Sequence, residues 1–280
     1  MSVDIESWVH RPIFNIPLSE QTKKLDGGHV LKSTQIILEL FKKYRTKATF
    51  FVLGTVAEWY PELIEEIKSD GHEIGIHGYT HKRLCYHTRE SFDKEIKRTV
   101  LLLSSMGIIP RGYRAPAFSS AEFLYEILSK NGIEYDSSII PVRTPLYDGT
   151  SYDCNPFIID RGIVEIPCSV WKISKLRIPV GGFYLRLLGS RMNHSLLKKI
   201  EKRYGIAVMY LHPWEVLSIP DNISLGNGRR VSLSFAKKRF AYYKIPMIGK
   251  LEYLVDKLDF SNFEGARSYI DQTLNSNKSP

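Results

Sequence analysis

The chain has 280 residues, a formal net charge of +9 and an isoelectric point near 9.3, with 43% hydrophobic and 25% charged residues. That length buries a full core and suits one (β/α) barrel as naturally as two small domains, while no apolar run approaches the roughly 20 residues of a membrane span. The opening MSVDIESWVH lacks the basic-then-apolar order of a secretory leader, so a cytoplasmic, at most membrane-peripheral, placement is expected.

In chain order, residues 2–5 predict a first strand and residues 48–53 (ATFFVL) a buried second one. Between them Ile36, Ile37, Leu40, Phe41 and Tyr44 recur at helical spacing, with Lys42, Lys43 and Arg45 on the other face. A second helix has Pro61 in its first turn, apolar Leu63, Ile64 and Ile67, and a stop at Gly71. Residues 72–77 (HEIGIH) form a third strand that delivers His77 at its C-terminal end, 88–106 a helix, and 113–115 a short strand before Pro116. Ser119-Ser120-Ala121-Glu122 has the spacing of a capping box and should open a helix through Phe123, Leu124, Ile127 and Leu128 that ends at Asn131-Gly132. Strands at 163–166 and 207–211 flank a helix at 196–204. The alternation predicts an α/β fold with a single distorted or incomplete (β/α) barrel. Residues 1–217 are expected to form the catalytic barrel, 218–274 an extension packed on it, and 275–280 a disordered tail.

Cys85, Cys154 and Cys168 are odd in number and far apart, with no CxxC pair, which argues against a disulfide framework or a cysteine zinc cluster. The positive charge implies attraction to polyanions without choosing among nucleic acid, anionic lipid and acidic glycan. Its densest stretch is Arg229, Arg230, Lys237, Lys238, Arg239 and Lys244, interleaved with Phe235, Phe240, Tyr242 and Tyr243. No nucleic-acid module surrounds it, so a solvated face is the default and an anionic glycan, lipid pyrophosphate or membrane surface the next choice.

The chemically suggestive residues fall at predicted strand ends: Asp4, Glu6, His77, Arg114 and His212. Parallel α/β proteins assemble their sites there. His77 and His81, four residues apart, would share one side of a helical turn, and a distant carboxylate could complete a three-ligand zinc site with an open position. A hydrolase of this kind also needs a general base and an acid for the leaving group. We assign Glu6, His77 and His81 as ligands, Asp4 as base and His212 as acid. Asp4 and Glu6 would leave one face of a regular strand together. Taken singly, each residue has a plainer reading: ordinary histidines, an ion pair at Arg114, a packed strand end at His212. Trp8 and Phe118 could stack on a sugar ring or simply pack.

In this order the segments resemble the five motifs of the NodB-like polysaccharide deacetylases, carbohydrate esterase family 4. Val3-Asp4-Ile5-Glu6-Ser7-Trp8 is similar to the first motif, which supplies the base and one metal ligand, and His77-Gly78-Tyr79-Thr80-His81 to the second, the paired metal histidines. Tyr113-Arg114-Ala115-Pro116-Ala117-Phe118 resembles the third, whose Arg holds the base and whose backbone N–H, here near Ala117, donates to the oxyanion. Tyr135-Asp136-Ser137-Ser138 resembles the fourth. Leu211-His212 resembles the fifth, where the acid stands beside a Leu that lines the acetyl pocket. Gly181-Gly182-Phe183-Tyr184 resembles a subgroup attached to exopolysaccharide gene systems. Two departures stand out: Ile5 separates Asp4 from Glu6 where members often have adjacent aspartates, and Gly78 replaces a common Ser or Thr.

The resemblance implies a distorted barrel and a divalent metal, most often Zn2+. It implies hydrolysis of N-acetyl groups on amino sugars of a polysaccharide or of a lipid-linked or anionic saccharide, with Asp136 orienting the His212 ring. Two other readings stay open: an allantoinase-like amidohydrolase acting on a small ureide, and a non-catalytic glycan-binding barrel. The joint presence of Asp4, His77, His81, Arg114 and His212 argues against the latter.

Overall fold

Five strands lie side by side in chain order, each parallel to the next: β1 (Ser2–Ile5), β2 (Thr49–Val52), β3 (Glu73–Ile76), β4 (Gly112–Tyr113) and β5 (Tyr135–Asp136). The structure is a computed structural model that describes residues 1–11, 16, 20–144, 147–148, 154–174, 176–219, 222–224, 230–232 and 247–276. Hairpin β6 (Arg143–Thr144) and β7 (Tyr147–Asp148) stands apart from the main sheet. Beyond β5 the sheet continues through β9 (Val164–Glu165), which is parallel to it, to β8 (Phe157–Ile158), which is antiparallel. After the hairpin β10 (Val170–Ile173) and β11 (Leu176–Pro179), β12 (Tyr210–Leu211) returns to pair with β1. A third hairpin joins β13 (Asn222–Ser224) to β14 (Arg230–Ser232).

The main sheet therefore runs β12-β1-β2-β3-β4-β5-β9-β8, open at both edges. It is a curled half-barrel, as the alternating sequence predicts. Parallel neighbours need crossovers, and helices supply them. The first crossover contains α1 (Glu20–Asp26) and α2 (His29–Lys43), the next α3 (Gly54–Trp59) and α4 (Pro61–Ser69); α5 (Arg89–Ser105) and α6 (Leu124–Lys130) follow. The sheet strands are covered on both faces, which is why β2 reads Thr-Phe-Phe-Val without polar alternation and every residue of it is buried. Ile37, Leu38 and Phe41 of α2 bury the face their spacing predicts. Thr88 caps α5 by accepting the Ser91 N–H at 3.2 Å, and the Ser91 hydroxyl accepts the Thr88 N–H in return.

The later chain completes the same core. Helix α7 (Gly182–Tyr204) starts well before the predicted 196–204 and breaks at Gly189, where φ is 77°. Leu251 and Leu254 of α8 (Ile248–Lys257) pack into the cluster that holds Val3 and Ile5. Ile270 and Leu274 of α9 (Arg267–Ser276) join Phe51 and Tyr135. Asn275 and Ser276, expected in the tail, belong to α9, and 277–280 lie outside the described residues. So does the basic stretch apart from Arg230, which is in β14.

The capping box expected at Ser119 does not form. Its hydroxyl accepts the Leu84 N–H at 3.0 Å and donates to the Pro116 carbonyl at 2.8 Å, and the helix begins only at Leu124. A contact with a distant segment outcompetes the local cap.

Candidate metal and catalytic centre

Strand β1 ends at Ile5, and the Glu6 N–H turns back to the Asp4 carbonyl at 3.0 Å. The two carboxylates thus reach one site across a turn, not along one face of a continuing strand. Asp4 is buried against Arg114, whose Nη1 donates to Asp4 Oδ1 at 2.7 Å. The guanidinium is spread over further partners: Nη1 to the Ser2 hydroxyl at 2.7 Å, Nε to the Ser137 carbonyl at 3.0 Å and Nη2 to the Ser137 hydroxyl at 2.8 Å. A buried ion pair held this completely has one geometry, and it keeps Asp4 in place.

His77 follows β3, and its Nδ1 lies 2.8 Å from the Arg114 carbonyl. A carbonyl can only accept, so Nδ1 carries the hydrogen and Nε2 offers its lone pair to the site. Burial lowers its pKa to about 4, so the ring is neutral at working pH. His81 does not lie on a helical turn with His77: residues 77–81 form a loop, with φ of 82° at Gly78 and 62° at His81. The Gly54 and Thr55 N–H groups at the start of α3 hold its Gly78 and Tyr79 carbonyls, and the half-buried Glu95 carboxylate accepts the Tyr79 N–H at 2.9 Å. A Cβ on Gly78 would sit 2.9 Å from Glu95 Oε1, so the loop that brings His81 back needs glycine there for space as well as for φ.

Oxygen and nitrogen donors of Glu6, His77 and His81 converge within 4.8 Å of one another. Glu6 Oε2 touches His81 Nε2, and that oxygen, though buried, accepts no hydrogen bond. Burial works against its charge, but the neighbouring His81, His212 and His77 outweigh it and hold Glu6 well below the usual carboxylate range. An anionic oxygen and two imidazoles gathered out of water fit a divalent cation of the zinc type.

His212 follows β12. Its Nε2 faces inward, 3.7 Å from Glu6 Oε1 and 3.9 Å from Asp4 Oδ2. The carboxylate behind the ring is not Asp136 but Glu215, whose Oε2 lies 3.2 Å from Nδ1 and accepts the His212 N–H at 2.9 Å. Pro213 starts a 3-10 turn that folds Glu215 back as a capping box, whereas Asp136 faces Ser138 and Glu165. Burial opposes a charged His212, but Glu215, Glu6 and Asp4 outweigh it and raise its pKa. Trp214 stacks on the ring at 4.7 Å between centroids and donates its indole N–H to Glu6 Oε1 at 2.9 Å. Glu215, Trp214 and Glu95 were missed in the sequence. For Glu215 a signal existed, since His212-Pro213-Trp214-Glu215 has the spacing of an N-terminal cap with Pro at the first helical position.

The expected substrate-side residues divide. Ala117 is half-buried in the turn after β4, where it and Phe118 take φ values of 54° and 53°. The Phe118 ring packs edge-on against Tyr210 at 5.0 Å. Leu211 is fully buried in the main core, and Trp8 is fully buried with Val9, Trp214 and Ile219; neither offers a face to a sugar or an acetyl group. Both are apolar enough for the core to claim them.

The half-barrel thus gathers carboxylate and imidazole donors at its strand ends. Residues 25–135 match the family Polysaccharide deacetylase, whose members hydrolyse N-acetyl amide bonds, and residues 137–267 match a domain of unknown function, DUF3473. The chain is 35% identical over 105 residues to a peptidoglycan deacetylase of Helicobacter pylori, covering 37% of this chain and 36% of that one. It is 34% identical over 115 residues to a peptidoglycan-N-acetylglucosamine deacetylase of Bacillus cereus, covering 39% and 42%. The matches thus span well under half of those relatives. Across 98% of the chain the fold superposes on 90% of a Mycobacterium smegmatis protein assigned as a polysaccharide deacetylase, with a TM-score of 0.62 and 21% identity. It also superposes on PuuE allantoinase, with a TM-score of 0.60 and 14% identity over 99% and 89% of the two chains. Among the described residues no helix is long and apolar enough to cross a membrane.

Proposed function

We propose that the protein is a metal-dependent deacetylase that hydrolyses the N-acetyl group of an amino sugar in a polysaccharide or lipid-linked saccharide. One observation carries this reading. His212 Nε2 stands within 4 Å of both Asp4 Oδ2 and Glu6 Oε1, so an acid, a base and a metal ligand address a single point at the end of the sheet. A cation held by Glu6, His77 and His81, for which zinc suits the donor set, supplies Lewis-acid polarisation of the acetyl carbonyl.

The chain's own groups do the rest. Asp4, pinned by Arg114, takes a proton from the attacking water. A backbone N–H near Ala117 faces the developing oxyanion, and donors placed in this way act chiefly on the transition state. His212, kept protonated by the carboxylates around it, gives its proton to the departing amine. Acetate and a free amino sugar leave, and water is the only co-reactant.

Support for a glycan over a ureide comes from the peptidoglycan deacetylases among the relatives, since the fold alone is shared with an allantoinase. The test measures acetate release from N-acetylglucosamine oligomers and from peptidoglycan, beside turnover of allantoin, with and without a chelator. Acetate release that stops on chelation and returns with zinc is the expected result. Allantoin turnover alone, or glycan binding without acetate release, would overturn the reading.

A further inference from the structure

The β5–β9 register sets Asp136 beside Glu165, and neither side chain has any exposure. One oxygen of each is served: the Ser138 hydroxyl donates to Asp136 Oδ1 at 2.5 Å, and the Ile139 N–H to Glu165 Oε1 at 3.0 Å. The other two, Asp136 Oδ2 and Glu165 Oε2, meet no N–H or O–H donor among the described residues, and the two carboxyl groups are each other's partners. Two carboxylates in contact away from water cannot both stay ionised. A single proton between them satisfies both orphaned oxygens.

We propose that Asp136 and Glu165 share one proton and that this pair positions the 116–118 turn, which carries the backbone donor for the oxyanion. Burial is the main cause that raises both groups, Asp136 to about 6 and Glu165 well above its ordinary value, and the hydroxyl hydrogen that Ser138 directs at Asp136 Oδ1 assigns the charge to Asp136 and the proton to Glu165. The anion then fixes Ser138. Its only hydrogen goes to Asp136, and its lone pairs are left to accept the Ala115 N–H at 2.8 Å. Ala115 opens the turn in which two consecutive non-glycine residues take left-handed angles, a conformation that neighbours must impose. The residue that follows β5, Ser137, clamps Arg114. The same strand end therefore fixes both sides of the Arg114–Ala115 peptide. Asp136 and Glu165 are positioning residues that touch neither substrate nor the proposed metal ligands.

The positioning role rests on the deacetylase reading, whereas the shared proton does not, and the experiment keeps them apart. Glu165→Gln retains a donor toward Asp136, and Glu165→Ala removes it. In infrared spectra at neutral pH the full-length protein should show a protonated-carboxyl band that both variants lack. Hydrogen exchange of the peptide containing residues 115–118 should be slow in the wild type and in Glu165→Gln, and fast in Glu165→Ala. On an acetylated glycan, kcat should fall about 10- to 100-fold in Glu165→Ala with KM and metal content held, and stay within about 3-fold of wild type in Glu165→Gln. Absence of a band lost on substitution overturns the shared proton. Exchange that is equally fast in both variants, or equally slow in both, overturns the positioning role. Lack of glycan turnover in the wild type would count against the deacetylase reading alone, since the infrared and exchange results stand without it.

Discussion

Trp214 holds Glu6. The indole N–H donates to Glu6 Oε1 at 2.9 Å and leaves Oε2 as the oxygen that meets His81, while the ring itself lies only 20° from parallel with His212. One side chain thus sets the rotamer of a proposed ligand and the plane of a proposed acid. Trp214→Phe keeps an aromatic face and loses the donor, so zinc affinity should fall about 10- to 100-fold. A competition titration against a chromogenic chelator reads this, and unchanged affinity would remove the role.

Asp4 and Glu6 are separable by metal content. Asp4→Asn still offers Arg114 an acceptor but cannot take a proton, so turnover should drop about 100-fold or more while bound zinc stays near stoichiometric. Glu6→Gln should lose zinc first. Metal analysis of the two purified variants decides, and the reverse pattern would mean that the roles are exchanged.

The pH profile reports on His212. Its raised pKa means that the protonated ring is present below that value, and the rate falls as pH rises through it. Glu215→Gln replaces the charge behind Nδ1, so the pKa should drop and the alkaline limb of kcat/KM should move to lower pH. A limb that stays in place would assign it to another group.

Gly78→Ala tests the histidine loop. With φ at 82° the alanine backbone is strained, and with Glu95 Oε1 2.9 Å from the new methyl group the carboxylate or the loop must shift, at a total cost of roughly 1–3 kcal/mol. Thermal unfolding with and without zinc should show a lower Tm and a smaller gain from the ion. A variant as stable and as zinc-responsive as wild type would show that the loop tolerates the change.

Much of the site was legible because its side chains follow strands, and strands are readable from short apolar runs such as TFFV and EIGI. Asp4, His77 and His212 were placed at strand ends and are found there. The reason His81 meets His77 was not legible: four-residue spacing suggested a helical turn, whereas a loop with two left-handed residues does the work, and Glu95, fourteen residues past His81, holds it. The partner of His212 was missed for a related reason. Motif order points to Asp136, but β5 turns it toward β9, and the nearer carboxylate comes from a turn started by Pro213. Capping spacings occur at both Ser119 and His212, yet only the second caps. Whether Leu84 would arrive to claim the Ser119 hydroxyl depends on tertiary contacts that no local pattern encodes.

The pairing of β12 with β1 has a consequence for the protein as it leaves the ribosome. A nascent chain that has emerged as far as Asp136 already owns five neighbouring strands, both histidines and Arg114, but its Asp4 still faces no acid and its Glu6 no indole. Those partners arrive together, in one short stretch of translation from Tyr210 to Glu215, and they must dock beside the very first strand, a closure of long sequence separation and correspondingly slow. Synthesis intermediates therefore lack the proposed acid, and the site is completed in a single late step.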